Sequence, residues 1–247
     1  MYFCLIIKTY KYNKMKKIIL LTSLIIIIFL KANYAQIKPF QFGFRLAPNI
    51  SWLSPDSKYY SNNGTDIGFT WGFLSDIAIT DNYFFQTGFN ISSFNTKLEY
   101  PEKIFVEAEN DSMPGQLFRN YKLKYIDIPA LIKMKTQPYK KFSFYGLVGL
   151  NFGFNIRSAT EDRFEYDNKS KIENSEKDIK DDINFFKFSL NVGVGLEYEI
   201  YKSTVVFAGV SFNNGVTNIL KGYNALYPSV KQKAIPYTLD FNIGVIF

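Results

Sequence analysis

The 247-residue chain carries 29 Lys and Arg against 22 Asp and Glu, has no histidine, and holds a single cysteine, Cys4. The missing histidine removes the side chain that most often serves as general base near neutral pH. A chain without cysteine beyond residue 4 has no disulfide, no thiolate nucleophile and none of the usual zinc, haem or iron–sulfur ligand sets, so neither an enzyme nor a cofactor is expected.

In chain order, the first element is a targeting segment. Met15-Lys16-Lys17 precedes an apolar run from Ile18 to Leu30, followed by Lys31-Ala-Asn-Tyr-Ala35. The run is shorter than the roughly 20 apolar residues that span a bilayer, and the layout is that of a secretory signal peptide cut after Ala35. The expected division is residues 1–35, a cleaved signal peptide with an extension upstream of Met15, and residues 36–247, one β-domain. Six lysines and no acid lie in residues 1–35, so the mature chain balances 23 basic against 22 acidic side chains and gives no support to nucleic-acid binding.

Residues 36–247 divide into eight segments with the length and period-2 alternation of strands. The first, 39–48, sets Phe40, Phe42, Phe44 and Leu46 against Gln41, Gly43 and Arg45. The second, 66–80, sets Ile67, Phe69, Trp71, Phe73 and Ile77 against Thr70, Gly72 and Asp76, and the third, 83–97, sets Tyr83, Phe85, Phe89 and Ile91 against Gln86, Gly88 and Asn90. The fourth, 119–136, opposes Ile126, Ile128, Ile132 and Met134 to Tyr125, Asp127, Lys133 and Lys135. In the fifth, 141–157, Phe144, Val148, Phe152, Phe154 and Ile156 oppose Gly149, Asn151, Gly153 and Arg157. The sixth, 184–200, has Phe186, Phe188, Leu190, Val192, Val194 and Leu196 against Lys187, Gly193, Gly195, Glu197 and Glu199. The seventh, 204–218, alternates poorly, and its Asn213-Asn214-Gly215 predicts a bulge or an early turn.

The eighth segment ends the chain. Tyr237, Leu239, Phe241, Ile243, Val245 and Phe247 share one face, with Thr238, Asp240, Asn242 and Gly244 on the other. An aromatic at the end of such a strand resembles the C-terminal recognition signal of bacterial outer-membrane barrels, so these six residues are the expected assembly signal.

The connections alternate. Three are tight turns, at 80–83, 137–140 and 201–204, and four are long and polar, at 49–65, 98–118, 158–183 and 219–235. This predicts an all-β, eight-stranded antiparallel up-and-down transmembrane β-barrel with short periplasmic turns and long external loops. An eight-stranded lumen is narrow enough to be filled by side chains. Arg45, Asp76, Asp127, Lys133, Arg157, Lys187, Glu197, Glu199 and Asp240 are then lumen charges that pair with one another. Aromatic girdles are expected from Tyr83, Phe84, Tyr139, Phe142, Tyr198 and Tyr201 at the short turns and from Trp52, Tyr59, Tyr60, Tyr100, Phe118 and Tyr121 toward the loops. Loops 98–118 and 158–183 are acidic; loop 219–235, with Lys221, Lys231 and Lys233, is basic and is expected to pair with them.

Pro129 interrupts the fourth strand and predicts a bulge or a break in pairing there, with Arg45 as the partner of Asp127. Tyr125-Ile-Asp-Ile-Pro129-Ala-Leu-Ile132 resembles the fourth-strand motif of the PorT-like outer-membrane β-barrel proteins of Bacteroidetes. Gly43-Phe-Arg-Leu-Ala-Pro-Asn-Ile-Ser51 is similar to that family's first strand and Phe144-Tyr-Gly-Leu-Val-Gly-Leu-Asn-Phe-Gly153 to its fifth. The resemblance implies an eight-stranded barrel over 40–247, in a family whose founding member serves secretion and gliding systems. The expected function is a non-enzymatic outer-membrane barrel in an envelope-structural, adhesion or secretion-accessory role, with a small-solute porin or channel as the alternative. Its expected partners are outer-membrane lipid, the barrel-assembly machinery, and envelope or secretion-system proteins.

Overall fold

Alternation of Phe, Ile and Val with Gly, Ser and Asn suits a pleated ribbon whose two faces meet different surroundings. The computed structural model describes residues 39–247 apart from 108–109, 167–169 and 202; the targeting segment lies outside the described residues. The strands are β1 (Phe40–Pro55), β2 (Ser61–Ala78), β3 (Tyr83–Val106), β4 (Asp111–Lys135), β5 (Phe142–Tyr166), β6 (Ser170–Asp178), β7 (Phe186–Tyr201), β8 (Thr204–Gly215) and β9 (Ala234–Ile246). Every pairing is antiparallel, and the ring runs β1-β2-β3-β4-β5-β7-β8-β9 and closes where β9 meets β1. This is the expected eight-strand ring. A ninth strand, β6, pairs with the far half of β5 outside the ring.

The side chains point as the alternation predicts over the half nearest the short turns. Phe42, Ile77, Phe73, Phe144, Val194 and Ile243 lie exposed on the outside, whereas Asp76, Lys133, Asn191 and Asp240 are buried inside. The seventh predicted segment ends early at Gly215, with no register shift against β9. At Pro129 the β3–β4 ladder breaks between Thr87↔Ala130 and Asn90↔Asp127 and resumes in the same register, so the missing donor is absorbed without an extra residue.

The far half corrects the expectation of long polar loops. Residues 98–106 and 111–118 continue β3 and β4 as one long hairpin, and 158–166 with 170–178 form a second. Here the two faces exchange character. On β4 the outward series Met134, Ile132, Ile128 and Ile126 gives way to Lys124 and Lys122, while the inward series passes from Lys133 and Asp127 to Leu123, Tyr121 and Leu117. Leu53, Tyr60, Leu98, Tyr100, Phe164, Ile183, Ile219 and Leu220 join these in one apolar core. Tyr60, Tyr100 and Tyr121 are therefore core residues, 7%, 0% and 2% exposed, and not girdle residues as expected. Phe84, 4% exposed, likewise points inward at the short-turn end. Water now wets the outer wall, so the apolar side of each strand must turn in.

The connection from β8 to β9 lies over this core. Asn224 Nδ2 donates to Tyr60 Oη at 3.1 Å and to Pro101 O at 2.7 Å. Asn218 Nδ2 donates to Leu220 O at 2.7 Å. A 3-10 turn at Lys180–Asp182 sits beside it, its Asp182 carbonyl accepting from Lys221 N–H.

Candidate functional site

The lumen carries its charge in two groups. Nearest the short turns, Lys133 Nζ donates to Asp76 Oδ2 at 2.6 Å and lies 2.5 Å from Glu197 Oε1, an ion pair without hydrogen-bond alignment. Lys135 pairs with the second Glu197 oxygen, and Gln86 Nε2 donates to Asp76 Oδ1 at 2.7 Å. Lys133 also lies 5.1 Å from the Tyr145 ring centre. That ring crosses β7 and β8 where a Cβ on Gly195 would come within 2.3 Å of it, so the glycine is a requirement of packing. Leu74, Leu131, Leu147, Phe207 and Ile246 fill the remaining space around it.

Farther up, Lys187 Nζ lies 3.2 Å from Asp127 Oδ1 and 4.3 Å from the Tyr125 ring centre. Gly153 makes room for this pair, because a Cβ there would stand 2.3 Å from Lys187 Cε and 2.5 Å from Asp127 Oδ1. Asp240 Oδ2 accepts from Asn213 Nδ2 at 2.7 Å. Arg45 and Asp240 line a cavity of ≈30 Å³ together with Asp127, Asn90, Asn151 and Lys187. Arg45 also borders a second, of ≈20 Å³, beside Tyr145 and Phe207. These volumes hold about one or two waters each. Several lining oxygens, on Asn49, Asn90, Asn151 and Asp240, have no protein partner, which suits internal water.

Of the nine charges expected in the lumen, Arg45, Asp76, Asp127, Lys133, Lys187, Glu197 and Asp240 project into it, but two do not. Arg157 is turned outward and pairs with Glu176 Oε1 at 2.5 Å, its side chain 56% exposed. The cause is a bulge: the β4–β5 register shifts between Lys124 and Tyr125, leaving Ile156 as an extra residue and reversing the phase beyond it. Glu199 keeps the inward phase but lies at the open rim, where it is exposed. The expected partnership also changes, since Asp127 meets Lys187 and not Arg45. Lys135, absent from the expected set, belongs to the lower group. Its inward phase was visible in the sequence.

On the last strand, Tyr237, Leu239, Phe241, Ile243 and Val245 face outward and Asp240, Asn242 and Ile246 inward. Tyr237 stacks with Trp52 at 5.8 Å, and Phe247 packs on Phe42 at 5.6 Å with its N–H donating to Phe42 O.

Two polar features mark the long end. Inside it, Arg119 holds Asp162 through two hydrogen bonds of 2.8 and 2.7 Å. Burial pushes the hydroxyls of the neighbouring Tyr60, Tyr100 and Tyr121 above their ordinary range. On the outer wall an open cleft of ≈930 Å³ is lined by Phe118, Asn120, Arg163, Glu173 and Glu176, with Arg163 stacked 4.5 Å from the Phe118 ring centre. The basic connection does not pair with the acidic hairpins as expected: Lys221, Lys231 and Lys233 are exposed, and among the described residues none of them makes an ion pair. The hairpin acids Glu161, Asp162 and Glu176 are taken by Lys122, Arg119 and Arg157. Among the described residues no group of three or more Cys, Asp or Glu could hold a metal ion.

No curated protein matches the chain in sequence. Among solved structures, Neisserial surface protein A is similar at 12% identity, with 85% of this chain and 96% of that one covered and a TM-score of 0.43. OprG from Pseudomonas aeruginosa is similar at 13% identity, over 84% and 95%, with a TM-score of 0.43. The outer membrane protease OmpT from Escherichia coli is similar at 12% identity, over 88% and 99%, with a TM-score of 0.33. The family model described as the outer membrane protein beta-barrel domain matches residues 32–221, which hold the signature of apolar outward and polar inward faces. The chain belongs to that family, and its place is the outer membrane of a Gram-negative bacterium.

Proposed function

We propose that this protein is a non-enzymatic, non-conducting barrel that holds a folded β-structure at the cell surface, in an adhesive or envelope-structural role. The observation that carries this reading is the filled lumen. The two cavities that border the charge groups are ≈30 and ≈20 Å³, far below what a hydrated solute needs. A wall that extends past the lipid and then builds its own core supports display over passage. Planar-bilayer recording of the mature protein tests it: silence is expected, and steady, size-selective currents would establish the porin alternative instead.

Residues 1–35 are removed on export, which N-terminal sequencing of the surface form checks. The outward row of the last strand, from Tyr237 to Phe247, addresses the chain to the barrel-assembly machinery. The Tyr125 to Ile132 motif groups the chain with PorT-like barrels of Bacteroidetes, which leaves a secretion-accessory role as the specialised form of the same display function.

A further inference from the structure

We infer that the external tip formed by the β1–β2 and β8–β9 connections binds an acidic polysaccharide of the uronate class, with Tyr59 and Tyr227 as the platform for a sugar ring and Lys58, Lys231 and Lys233 as partners of its carboxylates. This names a partner for the display role proposed above and rests on it.

The platform is built against local preference. Tyr59 has φ 72°, the left-handed region that a bulky side chain avoids. That backbone holds the ring on Tyr227, 4.6 Å between centres and 31° between planes, yet the two rings remain 48% and 39% exposed. Tyr223, bridged through its backbone to Lys231 in the same connection, is 62% exposed. Amphipathic rings held in place and left half open offer apolar faces with a polar rim. The apolar C–H face of a pyranose matches that.

The two connections are fixed to each other. Ser57 Oγ donates to Lys231 O at 2.8 Å and accepts from Lys233 N–H at 2.6 Å, and Asp56 N–H donates to Lys233 O at 2.9 Å. A ligand meeting this surface orders little in binding.

The charge is unspent. Among the described residues Lys58, Lys231 and Lys233 are exposed and make no ion pair; Asp56 reaches Lys233 only through the backbone, and Glu102 reaches the connection only by accepting from Ala225 N–H. Lys58 lies 5.1 Å from the Tyr59 ring centre, so cation and ring face one site together. Flexible ammonium groups adapt to carboxylates repeated along a polymer. A uronate bears a single carboxylate at the ring's edge and keeps one apolar C–H face open, whereas sulfate esters on several ring hydroxyls add bulk and charge around that face. That difference selects the carboxylated class.

The test uses the full mature protein in phosphatidylcholine nanodiscs over immobilised polygalacturonate, with neutral dextran, dextran sulfate and polyglutamate as comparison surfaces. Polygalacturonate should be preferred, and binding should weaken with salt. The Lys231→Ser, Lys233→Ser double variant should lose roughly tenfold in affinity. Tyr59→Gly should lose roughly five- to tenfold while folding normally, because glycine accepts the left-handed backbone. Lys122→Ser, which removes a lysine already paired with Glu161 on the outer wall, should bind as the parent does. Equal binding to polyglutamate or dextran sulfate, or undiminished binding by Tyr59→Gly, would overturn the inference and leave a generic cationic surface. Bilayer currents bear on the display reading alone: silence without polygalacturonate binding removes this partner and leaves display standing.

Discussion

Lys133 shows why the lower lumen is ionic. It is 2% exposed and meets two buried carboxylates, Asp76, which has no other cation paired with it among the described residues, and Glu197, which it shares with Lys135. Replacing it with Met keeps the volume, strands Asp76 and leaves Glu197 to Lys135 alone, so Lys133→Met should destabilise the barrel by about 3–5 kcal/mol. Heat-modifiable gel mobility reads this as a lowered unfolding temperature; an unchanged transition would mean that water already compensates the pair. The upper group allows a sharper measurement. Asp127→Asn and Lys187→Met should each weaken the barrel and the double variant should lose little more, with a coupling of about 1–3 kcal/mol. Asp127→Asn with Arg45→Met should be closer to additive. The reverse pattern would give Asp127 to Arg45 in solution.

At the scale of elements, β3, β4 and β5 each serve two environments. Their short-turn halves read apolar outward, their far halves apolar inward, and the bulge at Ile156 falls where the change occurs. The far core holds buried Tyr60, Tyr100 and Tyr121, with hydroxyls pushed up by desolvation. The native state therefore keeps protons that the unfolded chain gives up near pH 10, and stability falls as pH rises above that value. Limited proteolysis of the 216–233 connection should accelerate above about pH 10, and Tyr121→Phe should lessen the effect. Equal cleavage on both sides of that pH would mean that the tyrosines ionise without opening the core.

For the whole molecule, the two charge groups of the lumen balance each other. Asp76, Asp127, Glu197 and Asp240 face Lys133, Lys135, Lys187 and Arg45, so no net field draws ions inward. Assembly depends instead on the outer surface. A cation at mid-belt costs roughly 2–4 kcal/mol, so Phe241→Arg should remain in the periplasm and be degraded, while Asn242→Ser, turned to the lumen, should insert. Membrane fractionation compares them, and equal outer-membrane yields would contradict the assignment of faces to lipid and lumen.

The ring, its order and the facing of the short-turn halves were legible in the sequence, because lipid on one side and a polar lumen on the other impose the same local choice at every second residue. The tertiary structure alone decided which charges meet. Asp127 finds Lys187 because the strand registers set both beside Gly153 on the strand between them, and alternation does not encode register. It also decided that Arg157 turns out, since one inserted residue reverses every position beyond it. The far hairpins were misread as loops for a related reason: Leu98, Tyr100, Leu117 and Tyr121 keep the strand period, but beyond Ser92 and Lys124 water replaces lipid on the outer wall. The period survives that change of solvent while its polarity inverts, and only the folded molecule shows where the boundary lies.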